Sequence, residues 1–93
     1  MKEVRIDSRL LAELRRLSAT ERRAAGEAIA LAQEFFGAPH VHTGAGVRKL
    51  KGRWYEVRAG LDQRIVFREC EDCLSFEFMG NHDDVQRFLK GAK

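Results

Sequence analysis

The sequence predicts an α+β domain: an N-terminal strand and a helical hairpin packed on an antiparallel β-sheet, with a short C-terminal helix. Three observations predict it. Up to about residue 37, apolar residues recur at helical spacing. After residue 53 they alternate, as in half-buried strands. Between two of the alternating runs, Cys70-Glu71-Asp72-Cys73 leaves only two residues for the connection, which is the length of a tight hairpin turn.

The elements follow in order. Residues 3–6 read as a short strand. Asp7 or Ser8 caps a first helix through Leu17, with Leu10, Leu11, Leu14 and Leu17 on one face. Ser18 and Glu21 have the S-x-x-E spacing of a capping box, which opens a second helix. Ala25, Ala28, Ile29, Ala32, Phe35 and Phe36 are its apolar residues, and Gly37 followed by Pro39 ends it. So short a connection implies an antiparallel pair of helices. Residues 38–53 carry the only proline and read as a loop, with room for a short strand. Strands are expected over 54–59, 63–70 and 73–79. A last helix runs from about Asp83 to Lys90, its acidic start and basic end complementing the helix dipole.

With Glu71 and Asp72 in the turn, Cys70 faces Cys73, Phe67 faces Phe76 and Ile65 faces Phe78. Arg68 then meets Ser75 and Arg64 meets Met79. Folding the preceding strand back sets Val57 against Ile65 and Tyr55 against Phe67. One face is thus apolar throughout, which is what fixes a register. The helices are expected to cover it. The other face keeps Trp54, Glu56, Arg58, Arg64 and Arg68, and reads either as a solvated surface or as a phosphate-binding one. Arg58 falls opposite Arg64, an unfavourable pairing unless Glu56, Glu77 or a bound phosphate neutralises it.

The chain has 93 residues, 44% of them hydrophobic, enough for one modest core, so residues 1–93 are read as a single domain. Seventeen basic against 14 acidic residues leave a net charge of +3, which suits a nucleic-acid partner without demanding one. No apolar run approaches the roughly 18–20 residues of a membrane span. The opening MKEVRID lacks an apolar leader, so a cytoplasmic location and reduced thiols are expected. Cys70 and Cys73 make half of a tetrahedral zinc site, which His40, His42 or His82 would have to complete. The expectation is no metal and no cofactor.

Lys49-Leu50-Lys51-Gly52, Trp54-Tyr55-Glu56-Val57-Arg58, Arg64-Ile65-Val66-Phe67, Met79-Gly80-Asn81-His82-Asp83-Asp84 and Phe88-Leu89 stand in an order and spacing that resembles the RelE/ParE toxin superfamily. With the N-terminal strand and helical hairpin, the resemblance covers nearly the whole chain. It implies the RelE-like fold and a toxin of a type II toxin–antitoxin system, held inactive by a cognate antitoxin. RelE-type members cleave mRNA on the ribosome; ParE-type members share the fold and inhibit DNA gyrase. Fold therefore does not choose the activity.

Cleavage without a metal uses the RNA 2′-hydroxyl as nucleophile on the adjacent phosphate. It needs a base for that hydroxyl, cations for the phosphorane and an acid for the departing 5′-oxygen. By position, the resemblance puts Lys49 and Lys51 in the basic loop, Arg58 at the scissile phosphate and His82 at a catalytic arginine or histidine. These four are the expected catalytic residues. Arg48, Arg53, Trp54, Arg64, Arg68 and Phe88 are the expected substrate contacts. Phe88 falls near a position where some relatives carry a catalytic tyrosine, and reads either as a base-stacking ring or as core. His82 reads either as general acid–base or as a helix-cap histidine. His40, His42 and Glu56 are accessory candidates, and for Glu56 an ion pair with Arg58 or Arg64 is the simpler role.

Strand alternation places residue 82 on the apolar side, so His82 reaches the arginine face only through a bulge or turn, for which Gly80 is the candidate. The expected partners are an antitoxin protein, mRNA and the ribosome, with no membrane and no assigned oligomeric state. The alternatives are a non-enzymatic ParE-like gyrase inhibitor and a degenerate RelE-fold protein that binds an antitoxin.

Overall fold

A computed structural model describes residues 2–37 and 46–92. The elements are β1 (Glu3–Ile6), α1 (Ser8–Arg16), α2 (Ala19–Gly37), β2 (Val47–Lys51), β3 (Trp54–Arg58), β4 (Arg64–Glu69), β5 (Cys73–Gly80) and α3 (His82–Lys90). They form the α+β architecture that the sequence predicts. The strands make one five-stranded sheet in the order β1-β5-β4-β3-β2. β1 runs parallel to β5, and the other neighbours are antiparallel. Among the described residues, no helix is long and apolar enough to cross a membrane.

Local chemistry sets the boundaries. The Asp7 side chain accepts from Arg9 N at 3.0 Å and starts α1. At α2, Glu21 N donates to Ser18 Oγ and Ser18 N donates to Glu21 Oε1, both at 3.1 Å, which completes the predicted capping box. The hairpin turn is the predicted one, closed by Cys70 N donating to Cys73 O at 2.8 Å. It brings the two Cα atoms to 4.8 Å, and the cysteines are joined as a disulfide rather than standing as the expected thiols.

Two apolar cores lie on opposite sides of the sheet. On one side α1 and α2 bring Leu10, Leu14, Ala25, Ala28 and Ala32 against Val57, Ile65, Phe67, Leu74 and Phe76. Phe67 anchors it, stacking on Tyr55 at 5.7 Å and meeting Phe76 at 4.9 Å. Burying rings and branched side chains of this kind contributes about 1.5–3 kcal/mol each. On the other side α3 buries Trp54, Val66 and Val85, with Phe78, Phe88 and Leu89 packed around them.

The second core corrects two expectations. The face holding Trp54 is not open: Val85, Phe88 and Leu89 make an i, i+3, i+4 stripe on α3 that closes half of it. The predicted register holds for Phe67 opposite Phe76 and Arg68 opposite Ser75, then shifts. Beyond the shift Val66 pairs with Phe78, Ile65 with Met79 and Arg64 with Gly80, instead of Ile65 with Phe78 and Arg64 with Met79. Glu77 is the extra residue of a β-bulge. Phe76 therefore joins the first core and Phe78 the second.

Candidate functional site

β3 and β4 run side by side with Trp54 opposite Arg68 and Arg58 opposite Arg64, as the sequence predicts. On the outer side of β3, Arg48 of β2 pairs with Glu56. Paired residues share a face. Arg48, Glu56, Arg58 and Arg64 consequently project from the same end of the same face. They line an open cleft of about 680 Å³ together with Gly46, Val47 and Gly60.

Glu56 organises the cleft. It is 6% exposed, the one buried charged residue among those described. Its Oε2 lies 3.4 Å from Arg48 Nε and 3.5 Å from Arg64 Nε. A carboxylate taken from water needs such partners. Glu56, not Glu77, thus relieves the opposed arginines, because Glu77 Oε2 accepts from Ser75 Oγ instead. Arg58 is exposed and, among the described residues, meets no carboxylate. Its backbone N–H donates to Gly46 O at 3.2 Å. Gly46 has φ +82°, a conformation that favours glycine at this rim of the cleft.

The remaining predicted residues separate from this group. Lys51, Arg53, Trp54 and Arg68 line a second hollow of about 440 Å³ at the other end of β3. Lys51 Nζ donates to Leu89 O at 2.7 Å and Ala92 O at 3.2 Å, so it holds the last turn of α3. Arg53 donates to Glu69 O at 3.3 Å. Trp54 is 8% exposed and meets Phe88 edge-on at 5.4 Å. The Arg68 guanidinium lies 6.0 Å from the Trp54 ring centre. Phe88 is half-buried: it packs against the second core, stacks on Phe78 at 4.8 Å and lines a surface hollow with Phe78, Asp84 and Arg87, away from the arginine cleft. Lys49 is exposed and pairs with Tyr55, so it lies on the face that carries α1 and α2. Burial raises the Tyr55 phenol above its ordinary pKa, Glu69 adds to that, and Arg53 opposes it.

His82 is the first residue of α3 and is exposed. Asn81, not His82, is the cap: Asp84 N donates to Asn81 Oδ1 at 2.8 Å and Asn81 N to Asp84 Oδ2 at 3.0 Å. The break in parity that His82 needs exists, but Glu77 supplies it. Gly80 serves a different purpose, since a Cβ there would come within 2.6 Å of Asp84 Cβ in the first turn of α3. Gly80 pairs with Arg64, which pairs with Arg58. Two strand spacings, about 10 Å, therefore separate Gly80 from Arg58. His82 does not line the cleft. His40 and His42 lie outside the described residues. Among the described residues, no group of three or more His, Cys, Asp or Glu side chains stands together as a metal site would require.

The expected ion pair of Glu56 with Arg64 is present; sequence reasoning assigned Arg48 to substrate and missed that it is the second partner of Glu56. Regular pairing back from Lys51 opposite Trp54 would set Arg48 opposite Val57; the irregularity between Lys49 and Lys51 shifts the register by one and sets it opposite Glu56.

No protein-family model matches the chain, and no curated protein matches it. Solved structures do. A mutant of the E. coli toxin RelE in the free state aligns at 19% identity and TM-score 0.67, over 95% of this chain and 90% of that one. RelE in an archaeal RelE–RelB complex from Pyrococcus horikoshii aligns at 19% identity and TM-score 0.66, over 86% and 93%. A YoeB/ParE toxin from Agrobacterium tumefaciens aligns at 17% identity and TM-score 0.61, over 86% and 98%. With such coverage on both sides and the strand order described above, the chain has the RelE/ParE-type toxin fold.

Proposed function

We propose that this protein is a cytoplasmic type II toxin, a single domain that cleaves mRNA on the ribosome and is held inactive by a cognate antitoxin. The observation that carries the reading is the cleft: three arginines converge on one end of an otherwise covered sheet face. Such a concentration of guanidiniums suits a phosphodiester, because each presents planar N–H donors to phosphate oxygens. The P. horikoshii neighbour stands in a complex with RelB, which supports an antitoxin partner here.

In the proposed reaction the RNA 2′-oxygen attacks the adjacent phosphorus while its proton passes to a base. The bond to the 5′-oxygen breaks, and an acid protonates that oxygen. The products are a 2′,3′-cyclic phosphate and a free 5′-hydroxyl. Arg58, which meets no carboxylate among the described residues, takes the phosphorane oxygens in this reading, with Arg48 and Arg64 beside it. His82, exposed at the start of α3 and outside the cleft lining but at the same end of the sheet, is the group this reading assigns to proton transfer. The Lys49 and Lys51 side chains lie elsewhere, so the reading no longer gives them the phosphate.

One observation favours a second reading. The described lining of the cleft holds no imidazole or phenol, and Phe88 packs half-buried against the second core, outside that lining. A non-enzymatic toxin acting by binding, as a gyrase inhibitor would, needs no such group. Expression of wild type, Arg58→Ala and His82→Ala with mapping of mRNA 5′ ends separates the two. New ends inside translated codons, lost in both variants, support the nuclease. Growth arrest without new ends, accompanied by a DNA-damage response, supports the binding toxin.

A further inference from the structure

We infer that Glu56 is a positioning residue that fixes where Arg48 and Arg64 stand and limits how tightly the cleft holds a resting phosphodiester. The inference rests on the cleft's being the phosphate site proposed above. One carboxylate oxygen meets the Nε atoms of two arginines from two different strands, at 3.4 and 3.5 Å, while the carboxylate itself is buried. Engaging Nε leaves terminal N–H groups of each guanidinium for a ligand. Glu56 thereby turns two long, flexible side chains into fixed walls on either side of β3, with Arg58 between them as the cation that meets the ligand first.

The charge acts on binding, the placement on reaction. Three guanidiniums against one carboxylate leave the cleft with two net positive charges. A phosphodiester at rest carries one negative charge and its phosphorane carries two. The buried carboxylate weakens the hold on both states, and on the phosphorane more; what it contributes to reaction is therefore the placement of Arg48 and Arg64 as donors for the second state. Without Glu56, Arg48 and Arg64 are free to close on the resting phosphate.

The test separates charge from placement. Affinity is read by fluorescence anisotropy with an uncleavable 2′-O-methyl RNA oligonucleotide, and rate by single-turnover cleavage of mRNA on programmed ribosomes. Glu56→Gln removes the charge in nearly the same shape. It is expected to bind the oligonucleotide about tenfold more tightly and to cleave about a hundredfold more slowly. Glu56→Asp keeps the charge but draws the oxygen back from both arginines. It is expected to bind like wild type and still cleave slowly. Both variants binding and cleaving within twofold of wild type would overturn the inference. So would weaker binding and slower cleavage in proportion to a lowered melting temperature, which is what a purely structural Glu56 predicts. If Arg58→Ala binds the oligonucleotide as well as wild type, the phosphate reading itself fails and this inference falls with it. If Arg58→Ala weakens binding while Glu56→Gln changes nothing, only the inference fails.

Discussion

The two ends of β3 carry the same alternation and the same face of the sheet, yet they do opposite things. At its start, Trp54 is sealed under α3 with Phe88, and the cations around it are occupied: Lys51 on the last turn of α3, Arg53 on Glu69 O, Arg68 over the indole. At its end, about 13 Å away by strand rise, Arg58 stands in an open cleft with Arg48 and Arg64. A basic residue on this face is therefore not evidence of a binding role by itself. What distinguishes the ends is whether a helix has closed over the strand, and where the positive charge is consumed.

That contrast can be broken by substitution. The largest effect is expected at the closed end. Trp54→Ala should cost about 3–5 kcal/mol of stability, measured by urea unfolding, because it empties the centre of the second core. Arg58→Ala should leave the urea midpoint unchanged and lower cleavage about 10²–10³-fold, as loss of a phosphorane donor does. If Arg58→Ala instead destabilises the fold as Trp54→Ala does, the two ends are alike and the comparison fails. Gly80→Ala should cost about 1–3 kcal/mol in the same unfolding measurement, since the new methyl group meets Asp84 and pushes α3 from the sheet. Lys51→Ala should cost about 1 kcal/mol through the lost bonds to the end of α3. Its cleavage rate per folded molecule should stay within about twofold of wild type by the same argument that Lys51 is spent on the helix; a large drop would return it to the active surface.

Much of the fold was legible in the sequence because local signals agreed with one another. The capping box at Ser18, the two-residue turn at Glu71-Asp72 and the pairing of β3 with β4 all stand as predicted. The bulge was not legible. Phe76-Glu77-Phe78 reads as plain alternation, and nothing in it says that the two rings enter different cores. Alternation reveals facing only where one side is wet, and here both sides are covered. The side on which α3 packs was missed for the same reason. In the site, Arg58 and Arg64 were legible from strand pairing alone. Lys49 and Lys51 were not, because β2 carries its own irregularity between them and their destinations are set by partners far along the chain. Glu56 was recognised as an ion-pair partner, but its second arginine comes from β2, which the sequence showed only as loop with room for a strand.

The bulge at Glu77 acts as a phase shifter. Upstream of it β5 is in step with the helical hairpin, and downstream it is in step with α3. One additional peptide unit thus lets a single strand address two cores, and it also sets the azimuth at which the chain leaves the sheet. Removing that unit would rotate everything after it to the opposite side: Phe78 would lose Phe88, Met79 would lose the first core, and α3 would begin on the wrong side of the sheet. The openness of a cleft that begins on the neighbouring strand is in this sense encoded by an insertion, and a sequence comparison that aligned through it without a gap would misplace every later residue by half a turn of the pleat.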